Sequence, residues 1–393
     1  MAQVPTIYNL RSLWVRKVTT VLTGLGLALV VFVFASVLML GEGIQKTMAS
    51  TGLPTNAKII RKGSQNEVQS SVSPEQFRLI SAAPEAGVGK DGKPLVSTEL
   101  LVLIYALKDG WKTSDEGANV NVRGVGAAAL ELHPPRSLDG RMYKPGTSEV
   151  VVGRALVGKF DGARLGSAIH FARRDWQVVG VMDQAGSAYD SEIWGDIDQL
   201  GDAFARRPSV SSVTLKLRDK DALTSLEARM ATDPQLNKLE IKREDLFWAA
   251  QSRTTSLFIT ILGIFVAVIF SVGATLGAMI TMYSQVAART REIGTLRAIG
   301  FGRLAVLYSF VRESVILALL SGVLGVFFAS FLQLVSFSTI NFATFSETVF
   351  RFSLTPGIVR NALLFALALG LFGGLLPAVR AARMPIVKAT RGG

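Results

Sequence analysis

The sequence predicts a membrane protein with four transmembrane α-helices and a large α+β extracytoplasmic domain inserted between the first and second. Three observations carry that expectation. Long uncharged runs occur near the N-terminus and through the C-terminal third. A polar block, residues 41–253, separates the first run from the others. The excess of basic residues lies beside the apolar runs and not in the polar block.

Composition agrees. Mean hydropathy is +0.37, with 49% hydrophobic and only 18% charged residues, against about 25% charged in a soluble chain. There is no cysteine, which excludes disulfides, thiolate metal sites and a lipid-modified N-terminal cysteine. Two histidines, His133 and His170, give no zinc site. The net charge of +12 resembles a nucleic-acid signal until it is mapped. Residues 41–253 hold 28 Lys/Arg and 27 Asp/Glu, and the rest of the chain holds 14 and 3. The excess therefore reads as membrane orientation.

The N-terminal segment 1–17 carries Arg11, Arg16 and Lys17. The first span, 18–40, runs 23 residues from Val18 to Leu40 without a charge. At about 1.5 Å per residue it reaches roughly 35 Å, enough for a bilayer core. A cleaved signal peptide is the competing reading, but the run is long for one and no A-x-A site follows. Residues 41–253 read as an α+β domain with a stalk. Strand-like runs are Thr98–Leu107, Asn119–Val125, Glu149–Val152, Ala168–Ala172, Trp176–Val181 and Val210–Leu217. Helical patterns are Ser73–Ser81, Arg154–Phe160, Ile197–Ala205 and Asp221–Met230. The acidic residues of this block look scattered and solvated. Phe247 and Trp248 suit a membrane interface or a stalk.

The second span, 254–282, is uncharged for 29 residues and is longer than one crossing needs. Segment 283–313 follows as a short coupling helix and an interfacial elbow at Leu304–Val311, with Arg312 and Glu313 near the headgroups. The third span is 314–335, and 336–357 is a short external loop. Thr355-Pro356 is a helix start. The fourth span, 358–379, is kinked or ended by Pro377, and 380–393 is a basic tail. Segments 1–17, 283–303 and 380–393 hold three, four and four basic residues, against one in 336–357. The positive-inside rule then puts both termini and the 283–303 loop in the cytoplasm, and 41–253 outside.

Gly273 and Gly277, Gly325 with Ala329, and Gly370 and Gly374 place small residues four apart, the spacing of close helix packing. Such pairs also arise by chance in apolar helices. Gly87–Lys93 has phosphate-loop spacing, but Pro94 stands where Ser or Thr would hold magnesium, and a surface turn is the plainer reading. No nucleophile-and-base constellation is present, so no catalytic residue and no metal site are assigned. Around Arg289–Phe301, with the preceding turn included, Val286, Ile293 and Leu296 fall within about 80° on a helical wheel. Arg289 and Glu292 lie in or beside the same arc, three residues apart, where they can pair. This mixed face either solubilises a connecting turn or docks into a groove on a cytoplasmic partner. The residues alone leave both readings open.

The segment VAARTREIGTLRAIGFGRLAVLYSFVRES resembles the signature of the MacB/FtsX-like permease family of ABC transporters. SEVVVGRALVGKF, WQVVGVMDQAGSAYDSEIWGDI and SSVTLKLRD resemble that family's extracytoplasmic domain, and PAVRAARMPIVKATRGG its C-terminal tail. The resemblance covers most of the chain and the order of its segments. It implies a non-catalytic permease subunit, paired with a second permease copy or paralogue and bound to cytoplasmic ABC ATPase subunits. Arg289, Arg291, Glu292, Gly294, Thr295, Arg297 and Gly300 would then form the coupling helix and its edges. Some members carry a fused ATPase domain. Only 17 residues precede the first span here, so ATP and Mg are expected on a separate partner chain, with no cofactor on this one. The expected site is the bacterial inner membrane, and the expected role is export or extraction of lipoprotein, lipid or hydrophobic compound. A periplasmic adaptor, carrier or hydrolase activator and membrane lipid are further partners; nucleic acid is not. Alternatives are control of cell-wall hydrolases, or a membrane-anchored sensor or assembly factor without an ATPase.

Overall fold

Uncharged runs become helices and the polar block becomes a sheet. The computed structural model describes residues 17–110, 117–341 and 344–385. Arg11, Arg16, Lys388 and Arg391 of the basic flanks lie outside the described residues. Helix α1 (Lys17–Ala49) leads into β1 (Asn56–Arg61), α2 (Pro74–Ser81), β2 (Val96–Leu107), β3 (Gly117–Val125) and α3 (Ala127–Leu132). Then come β4 (Ser137–Gly140), β5 (Glu149–Gly153), β6 (Ala168–Phe171), β7 (Arg174–Asp183), β8 (Glu192–Asp196) and α4 (Ile197–Ala203). Next are β9 (Ser212–Lys216), α5 (Ala222–Thr232), β10 (Leu239–Arg243), α6 (Glu244–Ala288), α7 (Thr290–Ala298) and α8 (Arg303–Ser330). Strands β11 (Ser336–Ile340) and β12 (Glu347–Arg351) and helix α9 (Pro356–Arg383) complete the described chain. The chain forms two units: a helical one from residues up to 42, 258–335 and 352 onward, and an α/β one from 43–257 and 336–351.

In the α/β unit the strands run β10-β1-β9-β2-β3-β8-β5-β7-β4, with β6 added on β7. Side chains alternate across a strand, and here the two faces differ in kind. Ile59, Val122, Val213 and Ile193 point into apolar cores with α2, α4 and α5. Their neighbours Lys58, Arg123, Ser212 and Glu192 point the other way and are buried too. Arg123 forks onto Glu192 at 2.7 and 2.9 Å and reaches Glu67 at 2.9 Å. Lys58 bonds Glu67 at 2.8 Å and Glu99 at 3.1 Å. Tyr189 and Trp248 lie over the Arg123 guanidinium, at 5.2 and 5.8 Å. Burial opposes ionisation of Glu67, but the Arg123 and Lys58 charges outweigh it and hold the carboxyl far below the usual range.

These contacts correct two expectations. The acidic residues of the outer block are not all solvated: Glu67, Glu99, Glu192 and Glu244 are buried. Arg123 sits 24, 56 and 69 positions from Glu99, Glu67 and Glu192, and Asn56 sits 188 from Glu244, so no local pattern announces these pairs. Phe247 and Trp248 are not an interface belt; each is 3% exposed and closes over this ionic cluster. The helix expected at Arg154–Phe160 is only one short 3-10 turn, Arg154–Leu156. Strands β1, β4, β8 and β10 and helix α3 add to the elements that the sequence pattern marks. The Gly87–Lys93 stretch is a turn closed by a Val88–Pro94 bridge, with no helix following it.

Segment 336–357 is not a plain loop. It contains an antiparallel hairpin with Phe337 opposite Phe350. Val349 N–H donates to Ser191 Oγ at 3.0 Å, and Asn119 Nδ2 to the Phe345 carbonyl at 3.1 Å. The hairpin is thereby part of the α/β unit.

In the helical unit, Val31 and Ala35 of α1 pack with Ala318 and Ala329 of α8 and with Ala362 and Ala366 of α9. Among the described residues four helices are long and apolar enough to cross a membrane: Lys17–Ala49, Glu244–Ala288, Arg303–Leu334 and Pro356–Arg383. The 45 residues of α6 span about 68 Å, twice a bilayer core of about 30 Å; residues 244–257 of it belong to the α/β unit. No break separates the elbow expected at 304–311 from the third span, because α8 is continuous. Pro377 does not end α9, which continues to Arg383. A Cβ on Gly325 would lie 2.6 Å from the Ala28 carbonyl; on Gly370, 2.7 Å from Ala318 Cβ; on Gly374, 2.5 Å from Ser314 Cβ. Gly273 and Gly277 differ: a Cβ there meets nothing within 4 Å.

Candidate functional site

Helix α6 breaks at Arg289, whose φ of −104° and ψ of 16° leave the helical region. The chain restarts as α7 with Thr290. Its Oγ1 donates back to the Ala287 carbonyl at 2.7 Å, a local bond that competes with the helical ladder. At the far end Gly300 takes a φ of +108°, a conformation that disfavours any side chain. Gly302 then caps α8. The turn chemistry at both ends therefore isolates a nine-residue helix.

One side of α7 is fastened. Ile293 and Gly294 are buried. Ile293 packs with Met282 and Val286 of α6, Val306 and Phe310 of α8, and Ala378 of α9. Arg289 is buried; its Nε pairs with Glu292 at 3.0 Å and one terminal nitrogen pairs with Glu313 of α8 at 2.9 Å. Its guanidinium lies 5.3 Å from the Phe310 ring centre. Arg297 donates to the Met384 carbonyl, just past α9.

The other side is open. Arg291, Glu292, Thr295, Ala298 and Ile299 are exposed. At 100° per residue they fill an arc of about 120°. This stripe offers one cation, one anion, one hydroxyl and an apolar side chain that is 70% exposed at Ile299. It can meet a groove with mixed polar and apolar walls.

The structure therefore sorts the expected coupling residues. Arg291, Glu292 and Thr295 face outward. Arg289, Gly294 and Arg297 face the bundle and hold the helix in place, so they are not available as direct docking contacts. Gly300 forms the exposed turn. Sequence reasoning missed Ile299 and Glu313. A lone acid within the apolar stretch 304–335 signals a buried cation partner, and that signal was available for Glu313. Ile299 gave none, because exposure on a short helix depends on what packs behind it.

Residues 20–233 match the model of the MacB-like periplasmic core domain, and residues 257–386 that of the FtsX-like permease C-terminal domain. The chain belongs to the MacB/FtsX-like permease family. It is similar to the macrolide export ATP-binding/permease protein MacB of Agrobacterium fabrum, at 26% identity over 406 residues, covering 96% of this chain and 59% of that protein. The protein of the same name from Neisseria gonorrhoeae is 25% identical over 409 residues, covering 97% and 60%. The chain spans about three-fifths of the length of these relatives. The crystal structure of the periplasmic region of MacB from Actinobacillus actinomycetemcomitans aligns with a TM-score of 0.37 at 16% identity, over 52% of this chain and 94% of that one. Within this family framework, α7 lies inside the permease match and strands β1 to β9 inside the core-domain match.

Proposed function

We propose that this chain is the inner-membrane permease subunit of an ABC transporter, in which a separate cytoplasmic ATPase pushes on α7 and the outer domain moves in response. ATP and magnesium belong to that partner. The permease works as a pair with a second copy or a paralogue. Its cargo is a lipoprotein, a lipid or a hydrophobic compound handled on the outer side. Membership of the family supports the class, and relatives named for macrolide export support an apolar cargo.

The single observation that carries the reading is the two-sidedness of α7. A helix fixed to its neighbours by Arg289, Ile293 and Arg297 passes on a rotation, where a loop would absorb it. The exposed stripe supplies the contact.

Glu292→Lys tests it. Glu292 is 54% exposed, and Arg289 keeps its bond to Glu313 without it. The variant should express and insert normally. It should fail to hold the ATPase, because reversing a charge in a docked interface costs about 2–5 kcal/mol. Co-purification of the ATPase with tagged permease is the measurement. Full association together with full ATP-dependent transport would reduce α7 to a membrane-surface connector.

A further inference from the structure

We propose that the buried pair Arg289–Glu313 is the joint that carries motion of α7 into α8, and that the docking partner engages it by placing a basic side chain on Glu292. This rests on the reading of α7 as the docking helix. Arg289 stands at the break between α6 and α7 and is 5% exposed; Glu313 stands in the interior of α8 and is also 5% exposed. One guanidinium thus holds an exposed carboxylate on the docking stripe, Glu292 at 3.0 Å, and a buried carboxylate on a transmembrane helix, Glu313 at 2.9 Å.

Stability does not account for the pair. Taking two charges out of water is costly, and a well-packed apolar pair of the same volume holds two helices together as well or better. What the ion pair adds is direction. A guanidinium bonds carboxylates along fixed in-plane axes, so a shift of Arg289 displaces Glu313 by a defined amount. Phe310, one turn before Glu313, lies under the same guanidinium and limits its tilt. The far end of α7 is held independently by Arg297 on the Met384 carbonyl. Helix α7 is therefore tied to α8 at its start and to the end of α9 at its finish.

Glu292 supplies the input. It shares Arg289 with Glu313, so a cation from outside that takes Glu292 loosens one of the bonds on that guanidinium and leaves Glu313 to draw it inward. The chemistry expected of the partner groove is an Arg or Lys facing Glu292, beside an apolar wall for Ile299.

Glu313 and Arg289 are positioning residues, and their test separates coupling from docking. The chain has no native cysteine, so Ala298→Cys on α7 and Tyr308→Cys on α8, both exposed, accept spin labels. In detergent the pair should give one narrow distance distribution. Glu313→Gln, of nearly the same shape, should broaden it, and Arg289→Lys should do the same, keeping the charge but losing the fork. With the ATPase that co-purifies with the wild-type chain, Glu313→Gln should keep association within about twofold and lower permease-dependent ATP turnover by about tenfold or more, the effect of weakening one hydrogen bond to a charged group. Restored coupling in Arg289→Glu combined with Glu313→Arg would add support. An unchanged distance distribution and unchanged turnover in Glu313→Gln and Arg289→Lys would overturn the proposal. If no ATPase co-purifies, or Glu292→Lys still binds it fully, the docking reading fails, and the spin-label distances still decide whether the joint exists.

Discussion

Arg123 is the residue on which the outer domain's polar face converges. It bonds carboxylates from β2, β8 and the β1–α2 connection, joining strands that sequence keeps far apart. Of those carboxylates, Glu67 makes the domain sensitive to acid. Glu67 titrates well below the usual range: burial works against its ionisation, and Arg123 with Lys58 overrides that. Glu149 is held down at about 2, chiefly by its hydrogen bonds from Arg141. A carboxyl with a depressed folded pKa adds stability that is complete above the unfolded value, about 4.3 for Glu, and is lost as pH falls through the folded value. The expected outcome is a melting temperature that is flat from about pH 7 to 5 and drops steeply below about pH 4. Glu67→Gln should shrink that acid-side drop while lowering stability at pH 7. Thermal unfolding of the full chain across this range measures both. A variant with the wild-type acid slope would show that Glu67 is not a principal acid-sensitive group.

At the scale of helices, the small-residue pairs divide by what faces them. Gly325 and Gly370 sit where another helix comes within contact of the backbone, against Ala28 and Ala318. Gly273 and Gly277 on α6 face open space within this chain. Gly370→Leu should therefore force α8 and α9 apart and cost about 1–3 kcal/mol or more, the usual penalty of overpacking. Gly273→Leu should leave the single chain's stability unchanged and alter only association between permease copies. Thermal stability and complex size in detergent separate the two, and a large loss of monomer stability in Gly273→Leu would contradict the open face. The same division shows what the sequence could reveal. Uncharged length marks the four spans, and apolar and β-branched runs between turn residues mark β2, β3, β5, β6, β7 and β9, because each signal is local. The hairpin β11–β12 was illegible, since its partners Ser191 and Asn119 come from a segment more than 150 residues away. Strand β8 is illegible because it is five residues long with acids at both ends, and Glu192 turns inward only because Arg123 meets it in the fold. For the candidate site, the charges of α7 were visible from sequence. Which of them turn inward was not, because that depends on Glu313 and the Met384 carbonyl, 24 and 87 positions distant.

For the whole molecule the prediction is sidedness, and it rests on charge. Lys17 opens α1, Arg291, Arg297 and Arg303 flank the turn between α7 and α8, and Arg380 and Arg383 close α9. The hairpin segment on the opposite ends of α8 and α9 holds Arg351 and Glu347, which cancel. Basic flanks are retained on the cytoplasmic side during insertion, and on that rule we propose that α7 lies inside and the sheet outside. The two units give clean reporters. Lys220 and Ala298 are both exposed, and the chain has no cysteine to interfere. With Lys220→Cys and Ala298→Cys made singly, a membrane-impermeant thiol reagent added to intact cells should label position 220 and spare 298. Both should label once the membrane is opened, which establishes that each thiol is reactive. Labelling of 298 but not 220 in intact cells would invert the protein. It would also remove α7 from the compartment that holds ATP, and the coupling role of Glu292 and the Arg289–Glu313 joint would fall with it.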